Sequence, residues 1–152
     1  MALVHLGIGS NQGEREANCM KAIAILKEKG VLVQKASSLL ETEPWGVTDQ
    51  PRFMNMAAEA ETELPPEELL RLLKEIEQEM GRDEGKRWGP RIIDLDILFY
   101  EDRVLDSADL RIPHPWLQAR EFVLIPLAEI APGKVHPVLK KTVRQMKEEL
   151  QN

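Results

Sequence analysis

Asp94 and Asp96 stand two positions apart in Ile92-Ile-Asp-Leu-Asp-Ile-Leu-Phe-Tyr100, a run that is otherwise apolar. A strand alternates its side chains, so both carboxyls leave one face, roughly 6–7 Å apart along the chain. Ile93, Leu95, Ile97 and Phe99 are then predicted to enter the core from the other face. Two carboxylates so placed repel each other. A divalent cation removes that repulsion, and oxygen ligands favour Mg²⁺ over softer metals. Just upstream, Arg82, Lys86, Arg87 and Arg91 stand against Asp83 and Glu84, a local excess of positive charge. Mg²⁺ in such sites keeps waters and takes further ligands from phosphate oxygens. Arg82 and Arg91 can grip those oxygens with forked hydrogen bonds. Acidic strand and basic loop together predict a metal–polyphosphate site. An i, i+2 aspartate pair also marks the solvent face of many edge strands, but the residues around this one are too apolar for that.

The elements that must carry these groups follow from periodicity. Residues 2–9 read as a buried strand, and 14–29 as a helix with Met20, Ile23 and Leu26 at helical spacing and Gly30 as its stop. Residues 31–42 read as a second strand, and 43–51 as a loop rich in Pro and Gly. In the strand 53–62, Met54, Met56, Ala58 and Ala60 share one face, while Phe53, Asn55, Ala57, Glu59 and Glu61 share the other. Pro66 opens a helix with Leu69, Leu70, Leu72, Leu73, Ile76 and Met80 as its stripe, and Gly81 closes it. The acidic strand 92–100 follows the polar loop 82–90. Beyond it lie Pro113 and Pro115, a mixed segment 117–127, and a charged helix near 142–150 with Val143, Met146 and Leu150 inward. Strand, helix, strand, strand, helix, strand is the order of an α+β fold on the ferredoxin-like plan. Its sheet is antiparallel with helices packed on one face, and here a C-terminal extension is added. Gly7 and Gly9 read as a tight strand exit, and Cys19 and Trp116 as packing residues.

Composition narrows the classes. A chain of 152 residues, 43% hydrophobic and 30% charged, fits a single globular domain spanning 1–152. No apolar run nears the roughly 20 residues of a membrane span, and the start of the chain lacks a secretion signal, so a cytoplasmic protein is expected. The lone Cys19 excludes an internal disulfide and a cysteine zinc site, and His5, His114 and His136 lie far apart. A net charge of −6 argues against nucleic-acid binding, and strands with RNA-reading aromatics are missing.

Several ordered motifs also match a known family. Arg87-x-Gly-Pro-Arg-x-x-Asp-Leu-Asp-Ile-Leu98 resembles the signature of the 6-hydroxymethyl-7,8-dihydropterin pyrophosphokinases of folate biosynthesis. So do Gly9-Ser-Asn11, Thr42-Glu-Pro-Trp-Gly46, Asp49-Gln-Pro-x-Phe-x-Asn55, Glu77 with Gly81-Arg82, Pro113-His-Pro115 and Arg120-x-Phe-Val-Leu-x-Pro-Leu127. The resemblance covers nearly the whole chain. It implies a ferredoxin-like monomer that moves pyrophosphate from ATP to the pterin hydroxymethyl group, with two Mg²⁺ ions on Asp94 and Asp96 and with Arg82 and Arg91 on the phosphates. On the ATP side it implies Leu70, Lys74, Glu77, Arg87, Trp88, Ile97, Leu110, Arg111, His114 and Arg120. On the pterin side it implies Thr42, Trp45, Gly46, Phe53, Asn55 and Phe122. The partners implied are two small molecules, with no nucleic acid and no membrane. A MgATP-binding module of the same fold without catalysis is the alternative; the intact aspartates and arginines speak against it. The chain departs from some relatives in a shorter 82–88 loop carrying Asp83-Glu84, in Pro115 where some have tyrosine, and in Lys74 where some have glutamine.

Overall fold

The computed structural model describes residues 1–42, 52–81 and 92–152. The chain runs β1 (Ala2–Ser10), α1 (Arg15–Glu28), β2 (Leu32–Ala36), β3 (Leu40–Thr42), β4 (Phe53–Thr62), α2 (Pro66–Glu79) and β5 (Asp94–Tyr100). A small ribbon follows, β6 (Leu105–Asp106) with β7 (Arg111–Ile112), then a 3₁₀ turn at Leu117–Ala119, α3 (Glu121–Ile130) and α4 (Val143–Gln151). The main sheet has the order β2-β4-β1-β5, all antiparallel, with β3 continuing beside β4. This is the expected ferredoxin-like sheet. Gly30 and Gly81, at φ 90° and 91°, end α1 and α2 in the left-handed region that a side chain disfavours.

The predicted strand 31–42 is broken into two. Ser37 interrupts it: its backbone N–H donates to the Ala57 carbonyl at 2.9 Å, and its Oγ accepts the Ala57 N–H at 2.8 Å. The side chain thus takes a place in the ladder, and the register slips by one residue between Ala36↔Ala58 and Leu40↔Asn55.

Two apolar layers form, one on each face of the sheet. Val4, Leu6, Ile8, Met56, Ala58, Leu95 and Ile97 pack on α1 and α2 through Cys19, Ala22, Leu26, Leu69, Leu73 and Ile76. Each fully buried Val, Leu, Ile or Met among them contributes on the order of 1.5–3 kcal/mol. The helices between the strands thus share one face, as expected. The C-terminal extension covers the opposite face, where Ala57, Leu98 and Phe99 meet Leu117, Leu124, Leu127, Val143 and Met146.

Phe99 corrects the alternation drawn from sequence. β5 pairs His5↔Phe99 and Leu6↔Ile97, which leaves Leu98 as an extra residue. The bulge turns Phe99 to the side of the C-terminal helices, edge-on to His5 at 5.9 Å and to His136 at 5.8 Å. Trp116 is likewise not a packing residue, being 58% exposed, whereas Cys19 is fully buried.

Candidate active site

β5 borders the sheet, yet it is not a solvent edge. Its outward groups are taken by other elements: the Leu95 N–H donates to Glu77 Oε2 at 2.8 Å, and the Leu98 carbonyl accepts the His114 N–H at 3.1 Å. The strand can therefore be apolar and terminal at once. Asp94 and Asp96 stand on the face of the C-terminal helices and are half-buried.

Register places the other groups. Asn55 on β4, Gly9 on β1 and Asp94 on β5 form one row across the sheet; Ala57, Gly7 and Asp96 form the next. Directly paired residues share a face, so Asn55 and the aspartates look out on the same side, with only glycine between them. Gly7 and Gly9 thus form a bare floor between the amide and the carboxyls, and Gly9 also stands one residue before β1 ends at Ser10. A Cβ at Gly9 would lie 2.8 Å from Asn55 Oδ1 and 3.6 Å from Phe53 Cδ1.

At the amide end of the row, Asn55 Nδ2 donates to Thr42 Oγ1 at 2.7 Å, and Thr42 pairs with Phe53. That bond directs the amide nitrogen toward β3 and leaves Oδ1 over Gly9 as an acceptor. Phe122 stands in the first turn of α3, which packs on β3 and β4. The Arg120 guanidinium lies 5.5 Å from the Phe122 ring centroid.

At the acidic end, Arg120 and His114 approach the aspartates. Burial lowers the Arg120 pKa, against which the Asp96 and Asp94 charges push back. Burial, and after it the Arg120 charge, bring the His114 imidazole down to about 4, with the Asp94 charge opposing. His114 is therefore neutral at pH 7. Its Nδ1 accepts the Trp116 N–H at 3.2 Å, so the ring proton sits on Nε2, which is a donor.

Beside Asp96 opens a cleft of about 250 Å³. Leu70, Ile97 and Leu110 give it apolar walls; Asp96, Arg111 and His114 give it polar ones. Arg111 is paired across the ribbon with Asp106 at 3.3 Å. Lys74, one turn beyond Leu70, is exposed and does not line the cleft, and Glu77 points instead to Leu95. Asp109 also lines it, a residue the motifs passed over although it precedes Leu110 and Arg111 in chain. Arg82, Arg87, Trp88, Arg91, Trp45 and Gly46 lie outside the described residues.

Among the described residues no three His, Cys, Asp or Glu side chains gather to hold a metal. Two carboxylates alone do not complete a coordination shell. That donor set fits Mg²⁺, which is commonly held by one or two carboxylates with waters and substrate phosphates making up the rest. It does not fit a structural zinc.

Two half-buried carboxyls with a guanidinium and a neutral imidazole near them, and an amide one bare strand away, are groups suited to a phosphotransfer enzyme. Residues 5–132 match the family model of 7,8-dihydro-6-hydroxymethylpterin-pyrophosphokinase, HPPK, and the chain belongs to that family. It is 44% identical over 149 residues to the 2-amino-4-hydroxy-6-hydroxymethyldihydropteridine pyrophosphokinase of Aquifex aeolicus, covering 98% of this chain and 92% of that protein. It is 46% identical over 129 residues to the Bacillus subtilis protein of the same name, covering 84% of this chain and 77% of the other. The Plasmodium falciparum HPPK-DHPS structure superposes with a TM-score of 0.78 at 17% identity, over 97% of this chain and 44% of that one, a likeness of fold.

Proposed function

We propose that this chain transfers the diphosphate group of ATP to the hydroxymethyl group of 6-hydroxymethyl-7,8-dihydropterin, releasing AMP. The observation that carries the reading is the row Asn55–Gly9–Asp94, which sets a heterocycle-reading amide one bare residue from the acidic pair. A pterin ring laid on Gly9 meets Asn55 Oδ1 with its ring N–H or amino group, and Thr42 holds that amide in place. Phe53 and Phe122 supply faces for the flat ring. The adenine moiety takes the cleft walled by Leu70, Ile97 and Leu110.

The triphosphate then spans from the cleft to the acidic pair. Arg120 and the Nε2–H of His114 donate to its oxygens, and Arg82 and Arg91 are assigned there by the motif. Asp94 and Asp96 hold Mg²⁺, two ions by the family pattern, which when bound neutralises phosphate charge and orients the reacting oxygens. The pterin hydroxyl oxygen forms a bond to the β-phosphorus, the bond from that phosphorus to the α-phosphate oxygen breaks, and the hydroxyl proton leaves to solvent or a nearby carboxylate. Positioning and charge neutralisation supply most of the rate. Both substrate slots are lined from one copy of the chain, so a monomer suffices, acting in the cytoplasm where ATP is at hand.

The test is an incubation of protein, ATP, Mg²⁺ and 6-hydroxymethyl-7,8-dihydropterin scored for AMP. Asp94→Asn and Asp96→Asn should each lower the rate by about 100-fold or more while leaving the fold intact. ADP as product sinks the reading, and nucleotide binding without turnover points to the non-catalytic module.

A further inference from the structure

Glu77 is 3% exposed, a carboxyl inside an apolar helix–sheet interface beside Leu73 and Ile76. It comes from α2, so it lies on the side of the sheet opposite the aspartates. Its Oε2 accepts the Leu95 N–H at 2.8 Å, and Leu95 is the residue between Asp94 and Asp96. β1 satisfies only the inner edge of β5, and among the described residues no strand meets the outer one. The peptide joining Asp94 to Leu95 is thus held from one side by the sheet and from the other by Glu77. That peptide's plane orients Asp94 directly, and Asp96 through Leu95, the residue that joins them.

We propose that Glu77 is a positioning residue for the acidic pair: through the Leu95 N–H it fixes the β5 edge, and with it the joint geometry of the Asp94 and Asp96 carboxyls, without touching either substrate. The proposal rests on the reading of Asp94 and Asp96 as the metal–polyphosphate ligands. It departs from the nucleotide contact that family resemblance suggests for this residue, since Glu77 is absent from the cleft lining. The acceptor must have the right reach, and a second carboxylate near the cation is not what matters. Reach and charge can be separated, because glutamine keeps the length and an acceptor oxygen, while aspartate keeps the charge and falls one methylene short.

Glu77→Gln and Glu77→Asp are compared with the unaltered protein in three measurements. These are amide exchange at Leu95 by NMR, calorimetric binding of Mg²⁺ with a non-hydrolysable ATP analogue, and steady-state kinetics. Glu77→Asp should exchange the Leu95 amide at least tenfold faster, bind the Mg²⁺–analogue pair about tenfold more weakly and lose about tenfold in kcat. Its KM for the pterin should stay within twofold. Glu77→Gln should stay within about threefold of the unaltered protein in all three. The proposal is overturned if Glu77→Asp frees the Leu95 amide yet keeps binding and kcat, or if Glu77→Gln is as impaired as Glu77→Asp. It is also overturned if the pterin KM rises as steeply as kcat falls, which general loosening of the fold would produce. An unaltered protein that binds the Mg²⁺–analogue pair but forms no AMP would count against the reaction and leave the exchange and calorimetric comparisons standing.

Discussion

Gly9→Ala adds one methyl to the floor between the amide and the acids. The backbone there is ordinary extended strand, so alanine meets no conformational penalty at the position itself. The cost is contact: the new Cβ lies 2.8 Å from Asn55 Oδ1, nearer than the 3.0 Å below which such contacts are essentially never found. Asn55 is 8% exposed and its other end is tied to Thr42 at 2.7 Å, so it can yield only by loosening that bond. A lost neutral hydrogen bond costs about 0.5–1.5 kcal/mol, and overfilling a packed site about 1–3 kcal/mol. Taken as a displaced pterin-reading amide, about 1–3 kcal/mol corresponds to roughly 5- to 150-fold weaker pterin binding. Titration of the pterin by fluorescence, with Mg²⁺ and a non-hydrolysable ATP analogue present, measures it directly. The analogue's own affinity, measured alone, should change less than about twofold, since the cleft lies beyond β5. In an Asn55→Ala background the same methyl should cost little, because the group it strikes is gone. A Gly9→Ala protein that binds pterin as before, or that loses pterin and nucleotide equally, refutes the floor.

Two further expectations concern the frame around the site. Burial lowers the pKa of His5, His114 and His136, and His114 reaches about 4 against 6.5 when unfolded. Protons therefore favour the unfolded chain: the stability present above about pH 6.5 is lost as pH falls toward 4, and His114 alone accounts for about 2 kcal/mol by pH 5. Urea unfolding between pH 5 and 8 should show this slope, and a flat profile would contradict the burial of these rings. Thr142→Ala removes the α4 capping box, in which Thr142 Oγ1 accepts the Gln145 N–H at 3.1 Å and Gln145 Oε1 accepts the Thr142 N–H at 2.8 Å. The loss should be about 1 kcal/mol in chemical denaturation, with kcat and KM unchanged because α4 carries none of the candidate site residues.

Much of this molecule is legible along the chain. The alternation around Asp94 and Asp96 puts both on one face, Gly30 and Gly81 mark where α1 and α2 stop, and the order of strands and helices implies the sheet that forms. These follow from local rules, since a strand alternates and a glycine ends a helix whatever lies across from it. Other features depend on a partner far off in sequence. The face of Phe99 is set by a bulge that exists only in the pairing of β5 with β1. The split between β2 and β3 comes from Ser37 reaching the backbone of Ala57 on β4. The second face of the sheet is closed by α3 and α4, whose apolar stripes do not name the surface they will cover.

The site itself divides in the same way. Residue types and spacing mark the carboxyls, the guanidinium groups and the amide as chemistry. Only the register of three strands makes Gly9 the neighbour of both Asn55 and Asp94, and only the packing of α2 brings Glu77 under Leu95. One-dimensional periodicity determines which way a side chain points. Which side chain it then meets is decided by pairings whose loop closures and shared burial involve the whole chain.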